Sequence, residues 1–173
     1  MKKFELTTNT KMFLGKKLFQ IKALINFGDV EAGELGGYIE KEENLDYDGD
    51  AWVYGNACVS GNACVSGNAC VSGNARVYGD ACVYGDARVY GDAWVYGDAC
   101  YTTIKGFGRE YRTTTFFKCK DGKVRVQCGC FYGDLEEFRA IVKKTHGESK
   151  KAKEYLMIAD LMELHFEENE NDK

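Results

Sequence analysis

A mainly β fold built around a solenoid is what this sequence predicts, and three observations carry the prediction. Valine recurs at 53, 59, 65, 71, 77, 83, 89 and 95, and alanine at 51 and every sixth residue through 99. Ala and Val of each unit are two residues apart, so on an extended strand they point to one side and the residue between them to the other. Each unit then closes on Gly followed by Asn or Asp, residue types that tolerate the positive φ of a corner. A six-residue period does not track a 3.6-residue helical turn, and two breakers in twelve residues would cost a helix roughly 1 kcal/mol each. Stacked hexads, with Ala and Val filling a narrow interior, satisfy the pattern.

The flanks follow from the needs of such a rod. Its ends present bare strand edges, so residues 1–30 are expected as an N-terminal β cap, with KLFQIKAL as a strand closing that end. Coiling is expected over 31–100, where Ile39 and Leu45 continue the six-residue spacing of the alanine row. Residues 101–166 read as a C-terminal α+β region. Within it TTTFFKCKDGKVRVQC is a hairpin with Asp121-Gly122 in a type I′ turn. That turn sets Cys119 opposite Val124, Phe117 opposite Val126 and Thr115 opposite Cys128. It leaves Phe116, Lys118, Lys120, Lys123 and Arg125 on the other face. Asp134, with Glu137 three residues on, opens a helix through about Lys144, and Gly147 ends it. A second helix over Ser149 to Phe166 aligns Tyr155, Leu156, Ala159, Met162 and Phe166 on one face toward the hairpin. The last residues, 167–173, are expected as a disordered acidic tail.

The net charge of −4 is unevenly spread: six Lys and one acid in residues 1–24, then nine acids and one Lys in 25–50. No region is basic enough to suggest direct nucleic-acid binding, and no apolar run would span a membrane. The opening MKKFELTTNTKMFLG lacks the apolar stretch of a secretory signal, so a cytoplasmic protein is expected, with its eight cysteines reduced. A zinc site at Cys119, Cys128 and Cys130 would need these residues together, which the hairpin does not provide.

The hexads resemble the hexapeptide-repeat, left-handed β-helix family, whose coils are triangular prisms of three hexads. The resemblance implies the handedness, since strand crossovers are otherwise right-handed. Residues 18 apart then share an outward column, about 4.8 Å per coil. One face carries Trp52, Tyr54, Cys70, Ser72, Arg88 and Tyr90. The next carries Cys58, Ser60, Arg76, Tyr78, Trp94 and Tyr96, and the third Cys64, Ser66, Cys82, Tyr84 and Cys100. Enzymes of that family use histidine, as acyltransferase bases or zinc ligands. This chain has only His146 and His165, both outside the coils. No catalytic, cofactor-binding or metal residue is therefore expected, and no cofactor.

Two surfaces remain as candidates. Arg76, Tyr78, Trp94 and Tyr96 combine the residue types of binding hot spots, for a partner protein or for self-association as a dimer or trimer. The corner acids Asp80, Asp86, Asp92 and Asp98, joined to the acidic run Glu40 to Asp50, form a possible acidic surface. LGGYIEKEENL, the WVYGNA units, TTTFFKCKDGKVRVQCGCFYGDLEEF and the KEYL helix together resemble small hexapeptide-repeat proteins carried by bacteriophages, prophages and low-GC bacteria. The resemblance implies a noncatalytic inhibitor or adaptor that binds a bacterial host protein, in counter-defence or host takeover. A self-assembling scaffold and an oligomeric sponge for a small nucleotide are the alternatives.

Overall fold

The computed structural model describes residues 2–167, apart from the side chain of Asp98; the expected tail from 168 onward lies outside them. The chain forms two compact units, Met1–Asp98 and Ala99–Lys173. In the first, β1 (Phe4–Phe13), β2 (Lys16–Ala23) and β3 (Leu35–Ile39) precede eight two-residue strands. These are β4 (Trp52–Val53), β5 (Cys58–Val59), β6 (Cys64–Val65), β7 (Cys70–Val71), β8 (Arg76–Val77), β9 (Cys82–Val83), β10 (Arg88–Val89) and β11 (Trp94–Val95).

The eight short strands stack in parallel as three sheet faces, β5-β8-β11, β4-β7-β10 and β6-β9, giving a β-solenoid of about three turns. Val59 pairs with Val77 and Val77 with Val95, so each coil is one 18-residue repeat. The Ala and Val rows from Ala51 to Val95 are fully buried, which makes the axis a column of methyl groups. Coil-to-coil backbone bonds run between equivalent hexads, as in Cys58 N to Ala75 O (2.9 Å) and Ser60 N to Val77 O (3.0 Å).

The first coil departs from the sequence reading. Ile39 pairs with Val59 and Leu45 bridges to Val65, so both occupy the valine row rather than the alanine row. The offset is 20 residues, and the two extra residues fall between Leu45 and Val53. Just before Leu45 a side chain stands in for backbone. Asn44, fully buried, donates from Nδ2 to Gly61 O (3.1 Å) and Ala63 O (2.7 Å), carbonyls of the coil above.

Strands β1 and β2 form an antiparallel hairpin, and β2 continues onto β3, extending one solenoid face to β1-β2-β3-β5-β8-β11. The hairpin also folds over outward positions. Phe13 and Leu18 pack with Cys58, Tyr38 and Tyr78. Trp52 is fully buried beneath Phe4 (6.3 Å between ring centroids) and Phe27 (5.3 Å), so this outward residue is not displayed.

The second unit is an antiparallel sheet of β12 (Tyr101–Ile104), β13 (Thr114–Lys118), β14 (Val124–Cys128) and β15 (Phe131–Asp134), followed by α1 (Leu135–His146) and α2 (Lys150–Phe166). The capping box of Asp134 and Glu137 opens α1 as expected, and Ser149 caps α2. The hairpin register differs by one residue: Lys118 faces Val124, Phe117 faces Arg125, Phe116 faces Val126 and Thr114 faces Cys128. Gly122 alone takes positive φ (+77°), while the Asp121 carboxylate accepts from Lys123 N (3.0 Å). Gly122 N donates to Cys119 O and Cys119 N to Lys123 O, closing a three-residue loop with a bulge instead of a type I′ turn.

A one-residue slip exchanges the faces of one strand relative to its partner. Phe116 and Val126 are therefore buried against Phe138, Ala159 and Met162, whereas Phe117 stacks on Tyr132 on the opposite side. Phe116 faces the helices, on the same side of β13 as Lys118 and on the side opposite Arg125, and Cys119 and Cys128 lie on opposite faces. Among the described residues no helix is long and apolar enough to cross a membrane.

Candidate binding surface

Arg76, Tyr78, Trp94 and Tyr96 come together on the β5-β8-β11 face. Arg76 and Trp94 are register partners, with the guanidinium 5.9 Å from the indole centroid. Tyr78 sits 6.3 Å from Trp94 and 5.9 Å from Tyr96, ring to ring. Phe13, absent from the sequence reading of this face, completes it. Its ring lies 4.7 Å from the Arg76 guanidinium and 5.9 Å from Tyr78. The signal was the apolar run Met12-Phe13-Leu14 at a Gly15 turn, where a solvated hairpin tip would be polar.

The hairpin thus packs on the inner part of the aromatic face through Phe13 and Leu18. Arg76, Tyr78 and Trp94 are half-buried, and Tyr96 is the most exposed of the four, at 52%. Tyr84 and Tyr90 hold the equivalent hexad position on the two other sides of the last coil and are also exposed.

Among the described side chains, the corner acids do not sit directly one above another. Asp80, Asp86 and Asp92 stand at three different corners, each accepting from the asparagine one coil below: Asn62 (3.0 Å), Asn68 (3.1 Å) and Asn74 (3.3 Å). Each of these three carboxylates therefore lies over a carboxamide rather than directly over another carboxylate. The side chain of Asp98 lies outside the described residues.

The acidic run is answered within the chain by the basic hairpin. Lys16 pairs with Glu40 (2.9 Å), whose carboxyl is held below its usual range first by the Gly61 N–H (2.6 Å) and then by Lys16. Lys2 and the Tyr47 hydroxyl both donate to Glu42 and lower its pKa. Burial first, then Glu42, pushes Tyr47 up to about 12. Lys3, only 1% exposed, donates to Ala51 O (3.0 Å) and Gly49 O (3.3 Å). Burial lowers its pKa, against the opposing fields of Asp46, Asp50 and Asp48. Part of the charge segregation of the sequence is thus an internal clamp, and nothing in the local pattern distinguished Lys3 from its neighbours.

Cys64 and Cys82 are register partners, while Cys100, expected as the third of that column, lies in the turn Asp98–Cys100 rather than in a strand. Burial pushes the Cys64 and Cys70 thiols up, away from the thiolate a nucleophile needs. His146 stacks on Tyr155 and His165 lies edge-on to Phe166. Among the described residues, no group of three or more His, Cys, Asp or Glu is arranged to hold a metal ion. What the assembled side chains offer is contact area with fixed geometry.

A search of curated proteins finds no match to the chain. Two stretches of the coils, residues 69–84 and 81–97, match the YdcK beta solenoid repeat family, so the repeat itself is similar to that solenoid.

Proposed function

We propose that this chain is a noncatalytic binding protein, a left-handed hexapeptide-repeat solenoid of the phage-borne kind, acting as an inhibitor or adaptor on a bacterial host protein. One observation supports it above the rest. The last coil presents Tyr96 beside Trp94 and Arg76 on a surface already immobilised by Phe13. A preorganised aromatic and arginine cluster loses little side-chain entropy on association, and such residues dominate binding hot spots. The acid corners contribute a rim of charge in which Asp80, Asp86 and Asp92 each lie over a carboxamide of the coil below.

The reading is tested by capture from a bacterial host lysate followed by affinity measurement on the purified partner. Tyr96→Ala and Trp94→Ala are each expected to weaken binding at least about tenfold. Asp80→Asn is expected to leave it within a factor of about two. Binding that ignores both aromatic substitutions would remove this face as the site.

A further inference from the structure

Helix α2 is apolar on two opposite sides. Ala152, Ile158, Ala159, Met162 and Phe166 are buried toward the sheet and α1. Met157, Leu161 and Leu164, spaced four and three residues apart, form a second stripe that is 71, 54 and 63% exposed. A solvated helix face carries polar residues there.

The charges of α2 also run against its own dipole. Lys150, Lys151 and Lys153 crowd its start with no acid in the first turn, while Glu163 and Glu167 lie at its end. Basic groups belong at the C-terminus of an isolated helix and acids at its N-terminus. Neither the stripe nor the charge order serves the helix by itself.

We propose that the chain pairs with a second copy of itself through α2, antiparallel, about a twofold axis passing near Leu161. The two Met157-Leu161-Leu164 stripes then interlock, and the opposed dipoles lie side by side. Lys153, Asp160 and Glu167, each seven residues apart, line one edge of the stripe. Antiparallel pairing sets Lys153 of one copy beside Glu167 of the other, and the symmetry repeats the contact. Asp160 falls near the axis, opposite its own mate, but Arg139 already holds it (2.8 Å) together with Glu163 (2.6 Å). The charge pattern is therefore self-complementary only in the antiparallel sense. A seam of one helix, about 25 Å long, is at the small end of specific interfaces, so a reversible dimer is expected. The stripe and the aromatic face belong to different units of the chain.

Sedimentation velocity of the full chain over a range of concentrations tests the pairing. The expected result is a monomer–dimer equilibrium that Leu161→Lys weakens more than about a hundredfold. Lys153→Glu and Glu167→Lys should each weaken it about fivefold, and the double variant should restore it. Tyr96→Ala should leave it unchanged, which separates this pairing from the proposed binding face. All these positions are exposed, and an unaltered circular dichroism spectrum verifies the fold of each variant. A monomer at every concentration, a dimer indifferent to Leu161→Lys, or a charge swap that fails to restore it would each overturn the proposal.

Discussion

Gly79 and Gly122 turn the chain at similar backbone angles, φ +69° and +77°, in very different company. A Cβ on Gly79 would lie 2.6 Å from Tyr96 O, the backbone of the next coil; a Cβ on Gly122 would meet nothing within 4 Å. The solenoid corner is held between coils, whereas the hairpin turn stands alone. A corner in the stack is thus specified by its neighbours above and below, and a solitary turn by the few side chains inside it. Asp121, by accepting from Lys123 N, keeps its own φ negative and selects a bulged loop over a type I′ turn.

The contrast can be broken most severely from inside the rod. Val77→Asp places an unpaired charge in a column that excludes water and is expected to cost more than about 4 kcal/mol. Both tryptophans, Trp52 and Trp94, lie in the first unit, so their fluorescence reports the solenoid, while helical circular dichroism reports α1 and α2. The variant should lose the native fluorescence signal and keep its helical signal; an intact fluorescence transition would refute the methyl-lined axis.

The glycine pair sharpens the comparison. Gly122→Ala should cost about 1–2 kcal/mol, the penalty for a left-handed residue alone. Gly79→Ala adds a backbone clash and should cost about 2–4 kcal/mol in denaturant titrations. Equal costs would show that stacking does not tighten the corner.

The smallest effect concerns Lys3. Its folded pKa is lowered, chiefly by burial, so the unfolded chain binds more protons between that lowered value and the ordinary 10.5. Stability of the first unit should therefore rise with pH across that window. Lys3→Met should abolish the slope and change stability at neutral pH by about 1 kcal/mol, since lost hydrogen bonds offset the relieved desolvation. A slope that survives the substitution would place the titrating group elsewhere.

Much of the candidate surface was legible before any coordinates. Arg76 and Trp94, 18 residues apart, had to be neighbours once the hexads stacked, and they are. Phe13 was not legible there, because 63 residues separate it from Arg76 and no periodicity links them. The same holds for Lys2, Lys3 and Lys16, whose acidic partners were visible only as a bulk imbalance of charge.

The sequence by itself determined the rod, its inward and outward positions and the N-cap of the first helix, because repetition multiplies a weak local preference until one arrangement satisfies every hexad. Tertiary structure alone decided the 20-residue first coil, the bulged register that turns Phe116 inward and the burial of Trp52 under Phe4 and Phe27. Each of these hangs on a single side chain or loop finding a distant partner, and a contact made once leaves no periodic trace in the chain.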